Sequence, residues 1–209
     1  EHKAWTESSV TVMGPGARFQ AGPFEIEPLR VTHSLPDCVA LVLRCSDGTI
    51  VHTGDWKIDE DPLDGEHFDR EGLQRVGDEG VTLLLSDSTN ASVPGRTRGE
   101  REVAQGLAPY IEDWDGRIVL AQFASNLHRL RSVAELAEAT NRKLVFAGRS
   151  LWRYLEAARR DGRAPIDPGK VIDISKARDF AARETLVVTT GSQGEPQAAL
   201  RRASLGRHP

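Results

Sequence analysis

The stretch 117–130, "RIVLAQFASNLHRL", decides how the chain folds. Its first half is a short β-branched and apolar run, and its second half opens a helix-length segment. Between them stand Ser125 and Asn126, two residues suited to capping a helix. A strand that passes through a cap directly into a helix is half of a strand–helix–strand unit.

Downstream the same pattern repeats. "KLVFAG", "KVIDI" and "TLVVTT" read as short strands, and "SNLHRLRSVAELAEAT", "RSLWRYLEAARR" and "SKARDFAARE" have helical length. This alternation implies parallel strands joined by crossover helices. In the first of these helices Leu127, Leu130, Ala134 and Ala137 form an apolar stripe, which places His128, Arg129 and Arg131 off the core face.

Upstream of Asp87 the chain reads differently. "FEIEPLRV" alternates, "CVALVLRC" and "TIVHTGD" flank Asp47-Gly48, and "VTLLLS" is an apolar run expected to be buried. Asp-Gly between apolar runs signals a hairpin, and pairing symmetric about it sets Asp55 opposite Ala40. The segment 64–77 fits a short surface helix. The turn-rich "STNASVPGRTRG" joins the two regimes.

Composition narrows the class. The 209 residues are 39% hydrophobic and 28% charged, ordinary globular values. A net charge of −4 and a pI near 5.9 exclude a generally basic nucleic-acid binder and leave room only for a local basic patch. Apolar runs fall far short of the roughly 20 residues that span a bilayer, and "EHKAWTESS" has no signal-peptide core, so a soluble cytoplasmic chain is expected. Cys38 and Cys45 project to opposite faces of one strand, against a disulfide between them.

Three polar residues stand where strands end. His33, beside Pro36, comes one short loop from Asp55 in the hairpin reading, and an imidazole with a carboxylate at strand ends suits zinc; a loop histidine without a metal role is the plain alternative. Asp87 after "VTLLLS" reads either as an Asx-turn or as a carboxylate orienting a metal-bound histidine.

In the second regime, strand ends meet helix starts at "AQFASNLHR", "FAGRSLW" and "TTGSQGEPQAAL", with Glu195-Pro196 suited to a first helical turn. Such ends attract phosphate, and Arg129 and Arg149 lie near them; ordinary capping explains them equally. Phe123 is either a base-stacking platform or a core residue. Neither "GSQGEP" nor "AGRS" is a P-loop or dinucleotide fingerprint.

Taken together, "VTHSLPDCV", "IVHTGDWKID" with "PLDG", "LLLSDSTNA", "FASNLHR", "AGRSL" and "TTGSQGEP", in that order from about Pro23 to Leu205, resemble bacterial ribonuclease J of the metallo-β-lactamase superfamily, β-CASP branch. The resemblance implies an α/β fold. Residues 1–91 would form part of an αββα sandwich, and residues 92–209 most of a β-CASP domain with a mainly parallel sheet flanked by helices.

The resemblance also implies roles. His33 would bind zinc, Asp55 would bridge two zinc ions, and Asp87 would stand behind a ligand histidine. Phe123, Ser125, Asn126, Arg129 and Ser192 would border the RNA strand. The activity implied is 5′–3′ exonucleolytic or endonucleolytic RNA hydrolysis in RNA processing and decay, with RNA as partner, no membrane, and room for a homo-oligomer and RNA-decay assembly partners.

One departure is large: the family's HxHxDH motif does not occur, and its later histidine motifs are absent too. The chain therefore reads as an internal piece of a longer enzyme, inactive alone. Alternatives are another hydrolase of the superfamily, acting on DNA or a phosphoester, and a non-catalytic RNA-binding chain.

Overall fold

The computed structural model describes residues 10–207; "EHKAWTESS", with His2, lies outside the described residues. Two compact units interleave along the chain, one of residues up to 33, 37–58 and 67–96, the other of 34–36, 59–66 and 97 onward.

The first unit is a five-stranded sheet, β1 (Phe19–Ala21), β2 (Phe24–Arg30), β3 (Val39–Cys45), β4 (Gly48–His52) and β5 (Leu83–Leu85), in the order β1-β2-β3-β4-β5. Pairing is antiparallel except for the parallel β4–β5 edge. One helix, α1 (Arg70–Glu79), opens on the Asp69 side chain, which accepts from the Gly72 amide at 2.8 Å. Helix α1 sets Leu73 and Val76 against Leu29, Val42 and Val51, each buried side chain contributing about 1.5–3 kcal/mol of transfer free energy.

The β3–β4 hairpin differs from its sequence reading. Cys45 pairs with Gly48 and Leu41 with His52, so Ser46-Asp47 forms the loop and every partner shifts by two from pairing about Asp47-Gly48. A shift of two preserves which face each side chain takes. Gly48 sits at φ +135°, where a Cβ would collide with the Thr82 hydroxyl. That crowding and the backbone angle both demand glycine.

The run "VTLLLS" is not buried. Leu83, Leu84 and Leu85 are all exposed, Leu84 by 59%. An apolar run signals burial only when something lies against it, and β5 is an edge strand paired on one side alone. The sheet and α1 are also joined by charge: the buried Glu27 accepts from Arg44 at 2.8 Å and Arg75 at 2.5 Å, and Glu79 pairs with both arginines.

The second unit comprises α2 (Glu100–Glu112), β6 (Ile118–Ala121), α3 (Leu127–Ala139), β7 (Lys143–Ala147), α4 (Arg149–Arg160), β8 (Ile172–Asp173), β9 (Thr185–Thr189) and α5 (Ala199–Ser204). Its sheet is wholly parallel, in the order β6-β9-β7-β8. Along β7, Leu144 and Phe146 enter one core with Leu130, Val133, Leu151, Leu155 and Val188, while Val145 and Ala147 enter another with Val187 and Ala177. Burial on both faces explains why "KLVFAG" and "TLVVTT" are continuous apolar runs.

Three sequence expectations change here. "SKARDFAARE" forms two 3-10 segments, Ile174–Asp179 and Ala182–Glu184, rather than an α-helix. Asp173 and Glu184 accept from nearby backbone amides at Ser175 and Ala181 and hold tight turns. Helix α5 starts at Ala199, so Glu195-Pro196 precedes it instead of opening it. Helix α2 has no counterpart in the sequence reading: its apolar positions Val103, Leu107 and Ile111 recur every fourth residue, but Gly106 and Pro109 mask the period.

Candidate functional site

In the first unit, the segments carrying His33 and Asp55 are stitched together. Thr32 pairs with Lys57 in an isolated antiparallel bridge, with the Lys57 amide donating to the Thr32 carbonyl at 2.8 Å and the Thr32 hydroxyl to the Lys57 carbonyl. That bridge brings the two segments side by side, with His33 following Thr32 and Asp55 two residues before Lys57. Gly54, at φ +61°, turns the chain just before Asp55, a conformation in which glycine is at ease.

Asp87 enters the same region from the end of β5. Its amide donates to the Thr53 hydroxyl at 3.1 Å, and its Oδ1 accepts from the Thr89 amide at 2.9 Å and hydroxyl at 2.6 Å. The Asx-turn of the local reading is therefore formed. Hydrogen bonds from the Thr89 hydroxyl and amide hold the Asp87 carboxyl below the usual carboxylate range; burial opposes them, and the Trp56 backbone N–H and the charge of His33 add to them.

These residues do not make a metal site by themselves. Among the described residues, no three histidine, cysteine, aspartate or glutamate side chains are grouped to hold a metal ion. A catalytic zinc site takes three protein ligands and an open position, so His33 and Asp55 supply part of a donor set at most.

In the second unit, parallel pairing brings two loops to one end of the sheet. Ala121 pairs with Thr189, and the Gln122 amide donates to the Thr189 carbonyl at 3.0 Å, so the loops that follow β6 and β9 leave side by side. The turn after β7 emerges beside them, since Ala147 also pairs with Thr189. Phe123 is 49% exposed, outside the core. Ser192 is exposed, Ser125 half-buried, and Asn126 buried, with its Oδ1 accepting from the Arg129 amide at 2.8 Å as the cap of α3.

Arg129 departs from expectation. Its guanidinium, expected to open onto the crevice beside Ser125 and Ser192, engages Glu100 through Nε at 2.7 Å and Nη2 at 3.2 Å. Glu100, at 3% exposure, is the first residue of α2, the helix the sequence reading did not contain.

His128 departs too: expected off the core face, it is buried at 9% exposure, with its Nε2 3.6 Å from Asp64. Asp64 lies 64 residues earlier in the chain. A groove of about 1180 Å³ runs past His128 and Arg131 along α3. Phe123, Ser125 and Ser192 are not among its lining residues, so the groove and the strand-end loops are separate features.

Comparison with known proteins finds a family match within the second unit. The family model described as the ribonuclease J β-CASP domain matches residues 115–209. Residues 115–209 are similar to that domain. Ribonuclease J of Corynebacterium glutamicum is 43% identical over 90% of this chain, and that of Mycobacterium tuberculosis 43% over 92%. Ribonuclease J 1 of Streptococcus pyogenes is 38% identical over the whole chain.

The chain spans only 26%, 35% and 37% of these three relatives. A crystal structure of a protein of unknown function from Enterococcus faecalis has the same fold, with a TM-score of 0.57 at 17% identity, covering 93% of this chain and 47% of that one. The α/β architecture with a parallel, helix-flanked sheet agrees with a β-CASP domain. No helix among the described residues is long and apolar enough to cross a membrane.

Proposed function

We propose that this chain serves as part of a ribonuclease of the ribonuclease J type, hydrolysing RNA phosphodiester bonds. The observation that carries the reading is about 40% identity to ribonuclease J proteins over 90% or more of the chain. Residues 1–91 correspond in this reading to part of a metallo-β-lactamase domain and residues 92–209 to a β-CASP domain.

The chain's own residues take distinct roles. Phe123 offers a face on which a base stacks. Ser125, Ser192 and the N-terminal end of α3 favour a phosphate. Asp87, held by Thr53 and Thr89, orients a histidine. His33 and Asp55 are donors toward a two-zinc centre whose other ligands come from elsewhere in the longer protein.

Cytoplasmic RNA processing and decay, by 5′–3′ exonuclease or endonuclease action, is the setting this implies, with oligomerisation and RNA-decay assembly partners open to copurification.

The experiment is metal analysis and cleavage of end-labelled RNA by the intact protein, beside His33→Ala and Asp55→Ala. Both variants are expected to lose bound zinc and nearly all cleavage. Full zinc and full activity in His33→Ala would sink the metal assignment. Retained RNA binding with no cleavage by the intact protein would favour the non-catalytic reading. Cleavage of DNA or a phosphoester in preference to RNA would favour the other hydrolase reading.

A further inference from the structure

The loop 122–126 is held from two sides by side chains that do not themselves form its surface. From the sheet side, the buried Gln122 carboxamide donates to the backbone carbonyls of Asn126 at 3.2 Å and Phe123 at 3.4 Å. Its own oxygen is left buried with no hydrogen-bond partner among the described residues.

From the helix side, Arg129 is anchored at both ends. Its amide donates to the Asn126 cap, and its guanidinium makes a two-point contact with Glu100. Glu100 is in turn fixed: its amide donates to the buried Asp59 carboxylate at 2.9 Å, and Asp59 also accepts from the Asp61 amide at 3.2 Å. A planar guanidinium seated on a buried carboxylate has one geometry, which a flexible ammonium cannot reproduce.

The geometry points to Glu100 and Arg129 as positioning residues for an RNA platform. They act through Asn126 on the angle at which Phe123 and Ser125 are presented, and Arg129 itself touches no phosphate. This rests on the reading of the strand-end loops as an RNA face. It assigns to an arginine on a buried carboxylate a role that surface charge alone would give to Arg129. The requirement is physical: an exposed ring stacks productively only if its backbone is held within a fraction of an ångström, and supporting side chains supply that restraint.

The two readings of Arg129 predict opposite signs for one substitution. If Arg129 is a phosphate contact held back by Glu100, Glu100→Gln releases it, tightens RNA binding and steepens the salt dependence. If the pair positions the loop, Glu100→Gln weakens binding and leaves the slope alone. Losses of roughly 2- to 30-fold are typical of substitutions that touch no ligand yet shift a site.

The test uses the intact protein with cleavage blocked by metal chelation. Affinity for a single-stranded RNA is measured across a salt series for Glu100→Gln, Arg129→Lys, Arg129→Ala and Phe123→Ala, with amide exchange of residues 122–127 followed in each. Weaker binding, an unchanged slope and faster exchange in the first two variants support the proposal. Tighter binding in Glu100→Gln, or a slope lowered by about 0.7 in Arg129→Ala, overturns it in favour of direct contact. Unchanged affinity in Glu100→Gln and Arg129→Lys while Phe123→Ala weakens binding overturns the positioning role but keeps the RNA face. Unchanged affinity in Phe123→Ala overturns the RNA face itself, whatever amide exchange shows about the loop. Arg129→Lys keeps the charge, so an electrostatic contact would survive it and the two-point fit would not.

Discussion

The two sheets of this chain solve the same problem in different ways. The parallel sheet of the second unit is covered on both faces, so that Phe146 and Val188 lie in one core and Val145 and Val187 in another. The sheet of the first unit has one small apolar core under α1, an exposed edge strand of leucines, and a charge network around Glu27. A doubly covered sheet derives its stability from apolar area. Among the described residues, the sheet with the smaller apolar core also carries polar contacts that respond to pH.

The comparison is tested most severely at Phe146. It is fully buried and packs edge-on against Trp152 with ring centroids 5.2 Å apart. Phe146→Ala should cost about 3–5 kcal/mol, read as a shift in denaturant unfolding, with amide exchange accelerating in the second unit first. Equal acceleration in both units would show that they unfold as one.

Asp87→Asn comes next. The amide oxygen of asparagine can still accept from Thr89, so the turn survives while the charge is lost. In the intact protein, cleavage should fall about 10- to 100-fold with most zinc retained. An equal loss in Thr89→Val would place the effect in the turn and not in the charge.

Acid should separate the units. Burial pushes the Glu27 carboxyl up, but hydrogen bonds from Arg44 and Arg75 and the charge of Arg18 outweigh it, and the net shift is downward. Glu79 is lowered by the same two arginines. A carboxylate depressed in the folded state stabilises above its unfolded value and loses that contribution as pH falls through the folded one. Between neutral pH and the acid range below the ordinary glutamate value of 4.5, amide exchange in α1 and β2 should accelerate before that in β7 and β9. Simultaneous loss would mean that the network adds no selective stability.

The smallest effect is expected at β5. Leu84→Ser in the 209-residue chain should change unfolding free energy by less than about 0.5 kcal/mol while reducing aggregation at high concentration, measured by light scattering. A much larger cost in the intact protein would show that another part of it covers this strand.

Sequence legibility tracked the range of the interactions involved. The cap Asn126 acts over three residues, and the apolar runs of β7 and β9 are contiguous, so local reading found them. The ordered motifs that resemble ribonuclease J were equally visible in one dimension. Helix α2 escaped because Gly106 and Pro109 break the pattern that would announce it. With α2 went Glu100, and so the partner of Arg129.

By itself, then, the sequence determined the alternation of strands and helices, the cap of α3, and the family likeness, because those depend on hydrogen bonds and side-chain patterns within a few residues. Tertiary structure alone decided that Arg129 meets a carboxylate 29 positions away and that Arg75 reaches Glu27 across 48. It also decided that Asp64 comes within 3.6 Å of His128 and that Leu83–Leu85 stay open to solvent. Burial and ion pairing are properties of what lies opposite in space, and no local pattern encodes the identity of a neighbour brought by the fold.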